Sequence, residues 1–231
     1  MSSLDTLTAV RKALSPARMA RFETAVSATP PSQSAQDLYA WNALTSGAFL
    51  MPLHICEIVT RNAVSEVLEA RYGSQWPWSA GFERSLPDPN KGYNPRRDLA
   101  NARKHRIETS SVIPELNFYF WQSLFTGRHD RRLWSHSLNR AFPQMQAHQT
   151  VQQSRREIFE NLEQIRRLRN RVAHHEPILG RDLMREYERI RFMISIRCPL
   201  TAQWMTEHQE AVRLIHSRPS PPMPPRPPPG P

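Results

Sequence analysis

Glycine, cysteine and long apolar runs are all in short supply in this chain. Seven glycines are few for 231 residues, and the periodic segments described below read as helices, so the expected fold class is all-α. The two cysteines, Cys56 and Cys198, sit inside apolar helical patterns without metal-ligand spacing, which reads as two buried free thiols rather than a disulfide. The best apolar run, Ala48 to Ile55, is short and contains Pro52 and His54. It resembles neither a secretory signal nor a membrane span, so the expected location is the cytoplasm, with no membrane partner.

Positive charge, by contrast, is plentiful. The formal net charge is +10 with a pI near 10.5, and arginines crowd at 128–140, 155–171 and 181–197. Such an excess favours a polyanionic partner, most simply nucleic acid. Arginine-rich helical composition produces the same charge without one, so charge alone leaves both readings open. A mass of 26.8 kDa suits one well-buried domain.

Ser15-Pro16 opens a helix over 17–26, with serine as N-cap and proline in the first turn. Ser34 or Asp37 opens a long helix that runs through Tyr72, with a kink expected at Pro52 and Gly73 as C-cap. Leu44, Ala48, Met51, Ile55 and Ile58 form one stripe of it, while Phe49, Leu53, Ala63 and Val67 make the opposite side apolar too. A helix apolar on most of its surface belongs in the middle of a bundle. Residues 74–94 read as an irregular loop and 95–106 as a short basic helix. The aromatic segment 112–125 reads as core packing rather than as a base-stacking surface. Helices follow around Leu133 to Leu138 and over 152–173, 181–196 and 201–216. From Ser217 onward nine of fifteen residues are proline, so the expected domain covers 1–216 and a disordered proline-rich tail covers 217–231.

The helix at 152–173 organises the rest. At about 100° per residue, Ile158, Leu162, Ile165, Arg169 and Val172 share a stripe, which puts an arginine where leucine is expected. Burying an unpaired guanidinium is very costly, so Arg169 should meet an anion or line a wet cleft. His174 lies five residues on, where Pro177 biases Glu176 away from helical geometry and the helix should end. An R-x4-H spacing occurs twice, at Arg169–His174 and Arg131–His136, so the spacing by itself says little. Asn170, the adjacent His175 and the stripe position set the first copy apart.

The run from Leu168 to Ile178 resembles the signature of bacterial Abi-like (abortive-infection) proteins, a branch of the HEPN superfamily with its R-x4–6-H motif. Residues 55–73, with Glu57, Arg61 and Asn62, are similar to that family's first long helix, and 115–125, Leu133-Trp134 and Phe142-Pro143 to its central aromatic block. Tyr119 stands where the family's pattern has a small glycine, and the proline-rich tail lies outside the resemblance. The resemblance implies a HEPN-type helical bundle and a metal-independent endoribonuclease acting in phage defence or as a toxin. It needs no cofactor or metal and works as a homodimer with two motifs facing across a cleft. Arg169 and His174 would be catalytic, supported by Asn170, His175, Glu57, Arg61 and Asn62. Arg166, Arg167 and Arg171 would bind RNA, and an antitoxin protein or regulatory RNA would be a further partner. The chemistry suits these residue types: a histidine can move protons near neutral pH, and arginine supplies fixed bidentate charge to a phosphorane.

Three other readings compete. Arg169 could be neutralised by Glu57 or Glu115 while His174 merely caps the helix. The same fold could bind RNA without cutting it. The Pro221-x-x-Pro224-x-Arg226 pattern in the tail could make the chain an interaction adaptor.

Overall fold

A computed structural model describes residues 3–146 and 148–219, and the Pro221–Arg226 pattern and most of the expected tail lie outside that range. Among the described residues there are helices and no strands. They are α1 (Ser3–Leu14), α2 (Pro16–Ala25), α3 (Gln33–Tyr72), α4 (Ala80–Ser85), α5 (Pro95–Ala102), α6 (Thr109–Val112), α7 (Phe118–Ser123), α8 (Leu138–Ala141), α9 (Val151–Ala173), α10 (Leu183–Arg197), α11 (Pro199–His208) and α12 (Ala211–His216). The 40-residue α3 is the axis of the bundle, and α2, α9, α10 and α12 pack against it.

Local chemistry sets the boundaries. Ser32, rather than Ser34 or Asp37, caps α3 by accepting from the Ala35 N–H at 3.3 Å. Gly73 closes the same helix at φ 86°, a conformation that a Cβ disfavours. Pro52 lies within α3 and the helix continues across it. The aromatic segment is core, as its spacing predicts: Phe120, Trp121 and Phe125 are buried, and Phe125 stacks on Trp134 with ring centroids 4.5 Å apart. Several features depart from the sequence expectations or go beyond them. α1 buries no side chain and so lacks the stripe by which a helix is read; it is tied to α2 by an Arg11–Glu23 ion pair at 2.8 Å. The 74–94 segment is no irregular loop throughout, since Trp76 and Phe82 anchor a 3-10 turn and α4 in the core. The single helix expected over 201–216 is broken at Gln209, leaving Trp204 half exposed. Cys56 is buried, but Cys198 is only partly so. Past residue 216, the Arg218 guanidinium lies 5.2 Å over the Trp41 ring.

One property of α3 differs from the reading as a helix apolar all round and enclosed, and another from the expectation that no run suits a membrane span. Phe49, Leu53, Ala63 and Val67 are buried, whereas Leu44 and Leu50 are 61% and 56% exposed, with Met51, Ile55 and Ile58 only partly covered. By length and composition α3 could also cross a membrane: its most apolar 18 residues have a mean hydropathy of 1.4, because averaging over that length absorbs Pro52 and His54. A helix at the centre of a bundle passes the same test.

His129 supplies a pH-dependent element of stability. Its side chain is buried, and burial first, then repulsion by Arg128 and Arg132, lowers its pKa from 6.5 to about 4. The fold therefore holds it neutral where the unfolded chain takes up a proton. Stability should be full above pH 6.5 and decline as pH falls toward about 4, by up to about 3 kcal/mol. Urea unfolding across that interval should show the decline, and His129→Asn should flatten it. A wild-type stability that stays level there would refute the assignment.

Candidate functional site

The N-terminus of α9 is fixed by a capping box, in which Gln153 N–H donates to Thr150 Oγ1 at 3.2 Å and Thr150 N–H donates to Gln153 Oε1 at 2.8 Å. At the other end His174 leaves helical geometry (φ −96°, ψ 12°), its N–H donating to the Asn170 carbonyl at 2.9 Å. His175 follows in the left-handed region at φ 54°. Three neighbours pin the turn that results. Arg18 of α2 donates to the His175 carbonyl at 2.9 Å, Ile178 N–H donates to Asn42 Oδ1 of α3 at 2.9 Å, and Arg171 donates to the Pro177 carbonyl at 2.8 Å. Both imidazoles are exposed and neither has a hydrogen-bond partner among the described residues. His175 also borders a cleft of ≈350 Å³ between α2 and α3, whose lining includes Arg18, Asn42, Gly47, Leu50 and Val172.

Arg169 is not on the buried stripe. Its side chain is 44% exposed, and Leu168, fully buried, takes the core position between Ile165 and Val172. Ser154, Ile158 and Leu162 mark the buried face at the start of α9, and Ile165, Leu168 and Val172 mark it at the end. The face thus turns around the helix as α9 crosses α3, leaving Arg169 on the rim. There the guanidinium meets Glu57 of α3, with Nε 3.9 Å from Oε2. That distance is at the outer edge of an ion pair and too long for a hydrogen bond, so Arg169 is oriented without being consumed. Glu115 pairs with Arg106 instead. Arg61 is partly buried with its Nε unpartnered among the described residues, and Asn62 is exposed. Asn170 reaches His174 through its backbone carbonyl and not through its carboxamide.

The three arginines expected to flank an RNA groove are differently placed. Arg166 donates to Glu163 at 2.8 Å and to Gln122 at 2.8 Å, with its guanidinium 4.7 Å over the Tyr119 ring. Arg167 shares Glu163 at 2.8 Å and remains exposed, while Arg171 is held by Pro177 and Glu176. Burial opposes ionisation of Glu163, but hydrogen bonds from Gln122, Arg166 and Arg167 outweigh it and bring its pKa down to about 2. Tyr119 faces outward, packed on Tyr93 at 4.5 Å, and adds nothing to the core. The Tyr119–Arg166–Glu163–Gln122 cluster escaped the sequence reading. The i, i+3 and i, i+4 spacing of Glu163 to the two arginines was its available signal.

The second R-x4-H copy, Arg131 and His136, is exposed as well, but Arg131 lies within a one-turn π-helix, Asp130–Trp134, and His136 just after it, rather than at the end of a long helix. Among the described residues no three His, Cys, Asp or Glu side chains gather as a metal-binding group. Fold and site together define an all-α protein in which α9 ends in two exposed histidines, with a loosely paired arginine about one turn before them. Comparisons with protein-family models, curated proteins and solved structures found no match.

Proposed function

We propose that this chain is a HEPN-type endoribonuclease similar to Abi-like proteins, acting in the cytoplasm in phage defence or as a toxin. The observation that carries the reading is the joint exposure, at one end of α9, of Arg169 and of histidines with no partner of their own. Metal-free RNA cleavage needs three things: a base for the 2′-OH proton, an acid for the departing 5′ oxygen, and positive charge on the phosphorane. Attack of the 2′ oxygen on phosphorus then leaves a 2′,3′-cyclic phosphate and a free 5′-OH. His174 moves the proton and Arg169 braces the phosphate, giving up its loose contact with Glu57. His175, beside the cleft, is the rival for the proton role.

A second copy of the chain supplies the other proton-transfer group. The outward side of α3, with Leu44, Leu50 and Met51, is apolar, partly uncovered and continuous with Glu57 and Arg61, and it suits a symmetric contact. Light scattering should give about twice 26.8 kDa. Leu50→Glu, at a position already half exposed, should yield folded monomer and lose cleavage with the dimer. A monomeric wild type that still cleaves would overturn the two-copy site.

The direct test is incubation of purified protein with total RNA in EDTA. Fragments ending in cyclic phosphate are expected, and cleavage only on addition of Mg²⁺ would defeat the metal-free mechanism. Binding without fragments would leave the RNA-binding module as the function.

A further inference from the structure

A cavity of ≈420 Å³ lies between α2, the end of α9 and the turn into α10, and four of its lining side chains are arginines: Arg21, Arg171, Arg181 and Arg218. Their pairing is incomplete. Arg171 faces Glu176 at 3.2 Å and Arg181 is bound to Glu186. Arg218 donates only to the Leu179 carbonyl, at 3.4 Å, and Arg21 is exposed with no partner among the described residues. Two carboxylates against four guanidiniums leave an uncompensated charge of about +2. Arg181 Nε and Glu186 Oε2 are both buried with no hydrogen-bond partner among the described residues, so this ion pair is itself imperfectly satisfied.

We propose that this cavity binds a terminal phosphate or pyrophosphate group. The uncompensated charge matches a dianion rather than the single charge of an internal phosphodiester, and guanidinium forks pair with phosphate oxygens in bidentate fashion. The rest of the lining is Ala25, Pro177, Leu179 and Gly180, with no carboxamide or aromatic ring to read a base. The phosphate is recognised and whatever carries it is not. The group can come from a free nucleotide or from the 5′ end of an RNA. The inference does not rest on RNA cleavage: Arg169 and His174 are not among the lining residues.

The full-length protein, titrated with inorganic pyrophosphate in a calorimeter, should bind it saturably at one site per chain. Arg21→Gln should weaken binding about tenfold, and since Arg21 is exposed and partnerless the fold should survive. Arg218→Gln should act similarly. Arg97→Gln, an exposed arginine of α5 outside the cavity, should change nothing, and Arg169→Lys should bind normally even where cleavage is lost. A nucleoside 5′-diphosphate and a pair of RNA oligomers, with and without a 5′-phosphate, identify the source. Dependence on Arg21 for the nucleotide alone indicates a free nucleotide, and a 5′-phosphate preference lost in Arg21→Gln indicates an RNA end. Absence of saturable pyrophosphate binding, or equal weakening by Arg97→Gln, would overturn the proposal.

Discussion

His174→Ala should lower the rate of RNA cleavage about 10²–10⁴-fold, the usual contribution of a positioned general acid or base, with the fold intact. The imidazole is exposed and unpartnered, and the hydrogen bond that residue 174 contributes to the helix end comes from its backbone N–H, which alanine keeps. Circular dichroism should therefore be unchanged while initial rates on a defined RNA collapse. The companion variant at the rival position is His175→Asn, because φ there is 54° and asparagine tolerates the left-handed region better than alanine. Collapse in His175→Asn with full activity in His174→Ala would move the proton role by one residue. Full activity in both would refute a histidine mechanism.

Arg169→Lys should cost about 10²–10³-fold in rate, comparable to removing one donor from a preorganised oxyanion site, because a point charge does not reproduce a planar fork. Stability should hardly move, since the side chain is on the surface and its pairing with Glu57 spans 3.9 Å. The neighbouring Leu168→Ala gives the opposite pattern. Leu168 is fully buried, and its truncation should destabilise by about 2–5 kcal/mol. If Arg169→Lys melts early instead, Arg169 is a structural residue, and wild-type cleavage by that variant would reduce it to generic charge.

The contrast between residues 168 and 169 shows where sequence reasoning stops. Periodicity located α9 to within a residue at its start, and the cap at Gly73 and the aromatic core were legible for the same reason, since each follows from local chemistry. A fixed 100° projection cannot register a buried face that rotates as one helix crosses another, so it puts Arg169 inside when the residue lies on the rim. The spacing that brought Glu57 opposite Arg169 was suggested by resemblance and not by period. α1 was invisible because it buries no side chain, and α4 because six residues are too few to display a repeat. Apolar composition does not say which apolar side of α3 has a neighbour, so the sequence alone cannot tell its outward face from core. The arginine cavity has no linear signature at all, its four arginines spanning residues 21 to 218.

The ion pairing of α9 has a consequence for how a polyanion would meet this molecule. Each of the six arginines of α9 has a carboxylate within pairing distance: Asp130, Glu160, Glu163 twice, Glu57 and Glu176. The helix richest in arginine is thus nearly neutral as seen from a distance. Arg128, Arg131, Arg132 and Arg140 have no such partner among the described residues, nor do Arg21 and Arg218 at the arginine cavity, so the long-range field originates on surfaces other than α9. Encounter would be steered there and would slow as ions shorten the reach of that field to about 8 Å at physiological strength. Tight engagement at α9 requires local carboxylates to be displaced. Capture and grip are therefore carried by different surfaces, and ionic strength acts mainly on the first.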